Sequence, residues 1–235
     1  MHQFMFTRLC SFHKLSIRRD GVGNRLTTQR TQQTQPTQTT NYDYNDIYEL
    51  TGVTGTQANT YDYDAVGNRE LVDSVDTYTS NSLNQYMDVN AVTHNYDGNG
   101  NLTYNGTNMY VYDRENRLTD FNNGGGGNVA SYKYDALNRR VAKTVDGVTT
   151  LFVYDGDSVI EEYDSLGGLE AEYVLGSSID EVLTMERGGT TYYYHYDGLG
   201  SVTEITDNTG TLIENYTYTP YGVILSGSEG SFLAK

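Results

Sequence analysis

The sequence predicts an all-β protein built as an antiparallel meander of short hairpins. Three observations carry the prediction. A Tyr-Asp motif, followed by a small-residue gap and then Asn or Arg, recurs along the chain: YDYDAVGNR at 61–69, YVYDRENRL at 110–118, YKYDALNRR at 132–140. Turn formers and aromatics replace aliphatic residues, with 25 Gly and 23 Tyr against a hydrophobic fraction of 37% and no Trp. Tyrosines also repeat at a spacing of two, as in Tyr132/Tyr134 and Tyr216/Tyr218, which is the period of a strand and puts each set on one face.

Taken in chain order, residues 1–40 read as a basic, polar leader. They hold six of the 15 Lys and Arg and only one acidic residue, Asp20, whereas the remainder holds nine basic residues against thirty acidic. No Tyr precedes Tyr42. The tract TTQRTQQTQPTQTT at 27–40 has nothing apolar to bury and is expected to be a flexible loop. DGVGNRL at 20–26 reads as a degenerate copy of the motif. Arg8 interrupts the apolar N-terminus, so no clear signal peptide is present, and no apolar run approaches the roughly 18 residues of a transmembrane helix.

Residues 41–191 read as the hairpin array. Aligned on the Asp, the copies fall at Asn45, Asp64, Asp97, Asp113, Asp135 and Asp155, with intervals that cluster near twenty residues. EYDSLGGL around Asp164 is out of register and reads as a hairpin tip. Asn105-Gly106 and Asp146-Gly147 are two-residue hairpin signals, since both central positions need positive φ. NNGGGGN at 122–128, DSLGG at 164–168, RGG at 187–189 and DNTG at 207–210 read as longer tips. Residues 192–225 carry two further copies, at Asp197 and the divergent Thr219, and 226–235 form a short tail.

The motif explains itself as a joint between hairpins. Its Asp accepts backbone N–H bonds from residues just ahead, and its Gly or Asn tolerates left-handed φ. The repeat-turn residues are therefore Tyr63, Asp64, Gly67 and Asn68; Tyr96 and Asp97; Tyr112 and Asp113; Tyr134, Asp135 and Asn138; Tyr154 and Asp155; and Tyr196, Asp197 and Gly200. A tyrosine buries ~150 to 250 Å² while keeping a hydroxyl for hydrogen bonding, which offsets the shortage of aliphatics. The competing reading is a ligand face, with Tyr192, Tyr194 and Tyr196 stacking on carbohydrate or on a partner protein. A meander of more than ~10 strands does not stay flat, so a curled or spiralling sheet is expected.

Other chemistry finds no support. There is no G-x-S-x-G elbow, H-E-x-x-H or Walker sequence, and the four His are scattered, so no catalytic, cofactor or metal residues are assigned. DGNGN at 97–101 imitates the start of a calcium loop, but Leu102 stands where Gly is needed and Asn108 where a bidentate Glu is needed. The acidic body argues against nucleic acid as a partner.

Y-D-x-x-G-N-R-L units at this period resemble the YD repeats of RHS (rearrangement hotspot) proteins, wall-associated proteins, teneurins and the shell subunits of insecticidal toxin complexes. The stretch YYYHYDGLGSVTEITDNTGTLIENYTYTPYGVIL at 192–225 is similar to the start of the RHS-associated core. The resemblance implies a β-sheet that spirals into a partial shell, and a secreted or cell-surface location. It implies a non-enzymatic structural segment whose partners are the remainder of a shell or further copies pairing through open sheet edges. The family core continues into an arginine- and tyrosine-rich tract and an Asp-Pro cleavage region, whereas this chain has no Asp-Pro and ends in SGSEGSFLAK. A truncated shell piece without a toxin domain is therefore expected.

Overall fold

The computed structural model describes residues 14–32, 35–55, 58–125 and 127–227, which contain 23 strands and no helix. In two antiparallel sheets the strand order follows the chain order, and no barrel closes. The all-β meander of hairpins is thus the observed architecture.

The chain forms two compact units, one of residues 1–58 with 173–235 and one of residues 59–172. The first begins with β1 (Lys14–Arg19), β2 (Arg25–Gln32), β3 (Gln35–Tyr44) and β4 (Leu50–Gly55). The second holds β5 (Asn59–Tyr63), β6 (Arg69–Val72), β7 (Asp76–Ser80), β8 (Tyr86–Val89), β9 (Val92–Thr93), β10 (Asn95–Tyr96), β11 (Leu102–Tyr104) and β12 (Met109–Tyr112). It continues with β13 (Leu118–Asn122), β14 (Asn128–Tyr134), β15 (Arg140–Val145), β16 (Val148–Asp155), β17 (Ser158–Asp164) and the start of β18 (Leu169–Leu175). The chain then completes the first unit with β19 (Val182–Arg187), β20 (Thr190–Tyr196), β21 (Val202–Asp207), β22 (Leu212–Tyr218) and β23 (Ile224–Gly227).

The polar tract at 27–40 departs from expectation. Its described part is not a loop: β2 and β3 pair through Thr27↔Asn41, Thr28↔Thr40 and Arg30↔Gln38. Threonine is a good strand former whatever its polarity, and backbone pairing does not require an apolar face. Residues 1–13 lie outside the described residues, so the leader reading is described only from Lys14 onward.

The core is thin and aromatic. In the first unit Met185 and Ile205 are wholly buried, joined by Val53, Tyr216 and Tyr42. In the second unit the buried apolar residues are Tyr61, Ala130, Ala142, Phe152 and Ala171. Arg140 is sandwiched there, 5.5 Å from the Tyr132 ring and 5.4 Å from that of Phe152, so a cation–π contact takes the place of an aliphatic layer. Fully buried aliphatics are few, which makes hydrogen bonding at the turns and between strands correspondingly important.

Candidate functional site: stacked turns and a tyrosine relay

The Asp135 turn shows how the motif works. The Asn138 N–H donates to the Asp135 carbonyl at 3.2 Å, and the Asp135 N–H donates to the Arg139 carbonyl at 2.9 Å. Asn138 has φ of 66°, the left-handed residue that such a three-residue loop with a bulge requires. The carboxylate finishes the loop: Oδ1 accepts from the N–H groups of Leu137 and Arg139 at 2.8 and 2.9 Å, and Oδ2 accepts from Arg139 Nε at 2.7 Å.

Each part of the motif thereby acquires a reason. Asp accepts two backbone bonds, the fourth residue must tolerate left-handed φ, and a fifth residue that is Asn or Arg adds a third bond from its side chain. Asp64 with Asn68, Asp97 with Asn101, and Asp113 with Arg117 make the same set. Gly67, Gly100 and Asn116 sit at the left-handed position. Asp197 binds the N–H groups of Leu199 and Ser201, with Gly200 left-handed, and Asp20 repeats the full pattern with Asn24.

Several assignments change. Asp155 makes no such turn: it pairs with Ser158 at the end of a two-residue hairpin. One residue fewer separates the strands there, so its carboxylate has no loop to close. Asp164 does make the turn, with Leu166 and Gly168 donating to Oδ1 and Gly167 left-handed, although its position in the period suggested otherwise. Asn81 and Asp207 close the same loop without a preceding Tyr, so the Tyr-Asp signature does not mark them. The hairpin at Asn105 turns about Gly106 and Thr107, one residue later than Asn-Gly spacing predicts, whereas Asp146-Gly147 form the expected left-handed pair.

The Tyr preceding the Asp serves the neighbouring repeat. Each turn is followed by a register shift, for example between Lys133 and Tyr134, which pair with Ala142 and Arg140. The extra residue takes local carbonyls out of the ladder. The tyrosine of the following repeat supplies the missing donor: Tyr134 Oη–H donates to the Leu118 carbonyl at 2.8 Å and Tyr154 to that of Arg140 at 2.8 Å. Tyr96 likewise donates to Tyr86, Tyr196 to Val182 and Tyr218 to Val202, at 2.6–2.9 Å. Burial pushes the phenols of Tyr96, Tyr134, Tyr154, Tyr196 and Tyr218 above their ordinary value, which keeps them protonated as donors.

In the second unit the turns also bind one another. Asn68 Nδ2 reaches Asn84 Oδ1, and Asn99 and Asn101 both donate to Asn116 Oδ1. Arg117 reaches the Asp135 carbonyl and Asn138 Oδ1, and Arg139 reaches the Gly156 carbonyl at 2.6 Å. Both guanidinium groups lie 5.0 Å from a ring centre, Arg117 on Tyr134 and Arg139 on Tyr154. The result is a lengthwise run of hydrogen bonds along one edge of the hairpins.

Asp135→Ala removes three of these acceptor bonds at once, and the expected outcome is a lower melting temperature. Asp155→Ala, which touches no such loop, should leave it unchanged. Equal melting of the two variants in a thermal scan would refute the turn assignment.

The carboxylates record the same geometry. The side-chain amide of Asn68 holds Asp64 below the usual aspartate range, as Asn101 does for Asp97, and the Arg117 N–H lowers Asp113. A lowered folded value means that the stabilisation is complete above the unfolded value of about 3.9 and is lost as pH falls through the lowered values. Stability should therefore begin to fall below about pH 4. Asparagine fills the Asp position at Asn45 and Asn81, so the double variant Asp64→Asn, Asp97→Asn should still fold, melt somewhat lower than the parent at neutral pH, and lose less in acid. An acid limb identical to that of the parent would contradict this.

Tyr192, Tyr194 and Tyr196 share one face of β20, as their spacing requires, but that face is half-buried against the protein. Tyr194 Oη–H points to Met185 Sδ at 3.7 Å, and the Tyr196 hydroxyl is committed to Val182. Tyr193, on the other face, is the exposed ring of the set.

Comparison with known proteins agrees with this repeat architecture. The family model described as Teneurin YD-shell matches residues 5–233. The chain is 36% identical over 188 residues to the protein named tRNA3(Ser)-specific nuclease WapA of Bacillus spizizenii, across 76% of this chain and 8% of that protein. It is 34% identical over 188 residues to tRNA nuclease WapA of Bacillus subtilis, with the same 76% and 8% coverage. The chain therefore spans a small fraction of the length of these relatives. The solved structure described as "Crystal Structure of TcdB2-TccC3-Cdc42" aligns with a TM-score of 0.38 and 15% identity, over 92% of this chain and 17% of that chain. With a family model matched over nearly its whole length, and with the turn chemistry that the repeat demands, this chain belongs to the Teneurin YD-shell family.

Proposed function

We propose that the chain is a non-enzymatic stretch of shell wall, whose work is to hold a continuous sheet rather than to transform a substrate. The observation that carries this reading is the relay between repeats. Asp64, Asp97, Asp113 and Asp135 are committed to their own loops, Tyr96, Tyr134, Tyr154, Tyr196 and Tyr218 donate to carbonyls of a neighbouring repeat, and Arg117 and Arg139 bridge adjacent turns. The nuclease activity in the relatives' names belongs to proteins of which this chain matches 8%. A net charge of −16 also disfavours a tRNA-binding surface. Purified chain incubated with total tRNA should leave it intact, and cleavage that co-purifies with the chain would overturn the reading.

The partners that fit are other parts of a shell. Among the described residues β1 pairs only with β2 and β23 only with β22, so each presents an edge of unpaired backbone groups. Further shell strands or a second copy would complete those edges. Sedimentation should show association that grows with concentration; a sharp, concentration-independent monomer would count against edge pairing.

A further inference from the structure

Along one edge of the second unit, a row of turns presents its tips to solvent in a fixed order. The turns that begin at Asp64, Asn81, Asp97, Asp113 and Asp135 are neighbours, linked by Asn68 to Asn84, Asn101 to Asn116 and Arg117 to Asn138. Gln85 Nε2 closes the remaining gap, 3.3 Å from where a Cβ on Gly100 would stand. One hairpin separates successive turns, so the tips recur about every 9 to 10 Å.

The residue two places after each acceptor forms the tip. Its N–H donates to the acceptor's Oδ1, and its side chain is left to solvent. The tips read Val66, Leu83, Asn99, Glu115 and Leu137, and all five are exposed, Leu83 by 75% and Leu137 by 70%. The loop uses only the backbone at this position, since Asn99 and Glu115 close it as well as Leu does. An apolar tip therefore has no reason inside its own turn. Single surface leucines need none, but a matched set along one edge does.

The first unit shows where such tips go when a surface is available. There the Asp197 turn packs on β1, with Gly198 against Ile17 Cδ1, and Leu199 lines a crevice together with Ile17. Tips of this kind thus seat on apolar surface of the same fold.

The order of the tips in the second unit is self-complementary. Leu83, Asn99, Glu115 and Leu137 run apolar, polar, polar, apolar, so the row matches its own reverse. A two-fold axis between the Asn99 and Glu115 turns sets Leu83 of one copy beside Leu137 of the other, and Asn99 against Glu115. The Asn99 amide donates one N–H to Asn116 Oδ1 and has a second to give. The Glu115 carboxylate, 2.9 Å from Arg117, has lone pairs left to receive it. Rows aligned in parallel would instead oppose Glu115 to Glu115, a like-charge contact in a chain of net charge −16.

We propose that this edge is an isologous interface with a second copy of the chain, the two rows of tips running antiparallel. It is distinct from the open strand edges of β1 and β23 and does not depend on them. With few side chains buried, the contact is weak, with a Kd on the order of tens of micromolar.

The test uses the full chain with Cys10→Ser, so that each added cysteine is the only one. Chains carrying Leu83→Cys are mixed with chains carrying Leu137→Cys and treated with a short bis-maleimide. Covalent dimer should form in the mixture and be lost when either variant is treated alone. Sedimentation of the parent should show reversible dimers, which the double variant Leu83→Ser, Leu137→Ser should weaken about tenfold or more. By circular dichroism the serine variant should keep the parent's melting temperature, since both side chains lie outside the core, and cross-linking decides the matter if it does not. Leu83→Cys cross-linking with itself as readily as with Leu137→Cys would overturn the antiparallel pairing. Association undiminished in the serine variant would overturn the interface and leave pairing through β1 and β23 standing. Flotation of the parent on phosphatidylcholine vesicles, lost in the serine variant, would also overturn it, by giving the tips to a bilayer.

Discussion

Gly55→Ala should destabilise the first unit by about 2 to 5 kcal/mol, enough to remove much of the stability of an ordinary domain. Gly55 ends β4 with φ of 109°, a conformation that side-chain-bearing residues rarely adopt. A Cβ there lands on the Thr39 carbonyl oxygen, with the Thr39 carbonyl carbon at 3.0 Å and Thr40 Cα at 3.2 Å. All three atoms belong to the backbone of the paired strand β3, where Thr40 pairs with Gly55. A flexible side chain swings aside at little cost, but a backbone held in its ladder does not. The strain of left-handed φ and the displacement of β3 therefore add. Urea denaturation of the variant should show a markedly lower midpoint. A parallel Gly147→Ala variant separates the two causes, because Gly147 has φ of 81° and nothing within 4 Å of a Cβ. It should lose only the conformational part. A Gly55→Ala midpoint no lower than that of Gly147→Ala would refute the clash.

Ile205→Ala should cost about 2 to 5 kcal/mol, the range for deleting a buried aliphatic side chain and leaving its cavity. Ile205 has no exposed surface and pairs with Tyr194 on β20 and Glu214 on β22. Its strand is buried on both faces, since Thr203, Glu204 and Thr206 are buried as well. A core with so few large aliphatics has little nearby mass to collapse into the hole, which places the expected cost in the upper part of the range. Leu137→Ala is the control: Leu137 sits at the tip of the Asp135 turn, 70% exposed, and its truncation should change stability by less than about 0.5 kcal/mol. Equal denaturation midpoints for the two variants would show that Ile205 is not a core residue.

Local chemistry was the legible part. The Asp turn is decided within five residues, because its acceptor, its left-handed position and its returning side chain all lie inside one loop. Asp64, Asp97, Asp113 and Asp135 could therefore be assigned from spacing. The same locality explains the misplaced residues. Asp155 shares the Tyr-Asp signature but lies one residue too close to its returning strand. Asn81 and Asp207 have the loop geometry without the Tyr. Asp and Tyr perform separable tasks: Asp closes its own turn, and Tyr134 and Tyr154 mend the bulge of the preceding one. Period alone misjudged Asp164, since a turn needs a competent loop and not a fixed interval.

From its amino acids alone, then, this chain determined its strand content, its hairpin order and the chemistry of most of its turns, because each depends on neighbours a few residues apart. Two features waited on the folded arrangement: the carbonyls that the tyrosine hydroxyls reach, and the half-buried setting of Tyr192, Tyr194 and Tyr196. Tyr134 finds its carbonyl 16 residues back. Such contacts depend on register shifts and on which strands face each other. Those are settled by packing across the whole unit, and no window of sequence contains them.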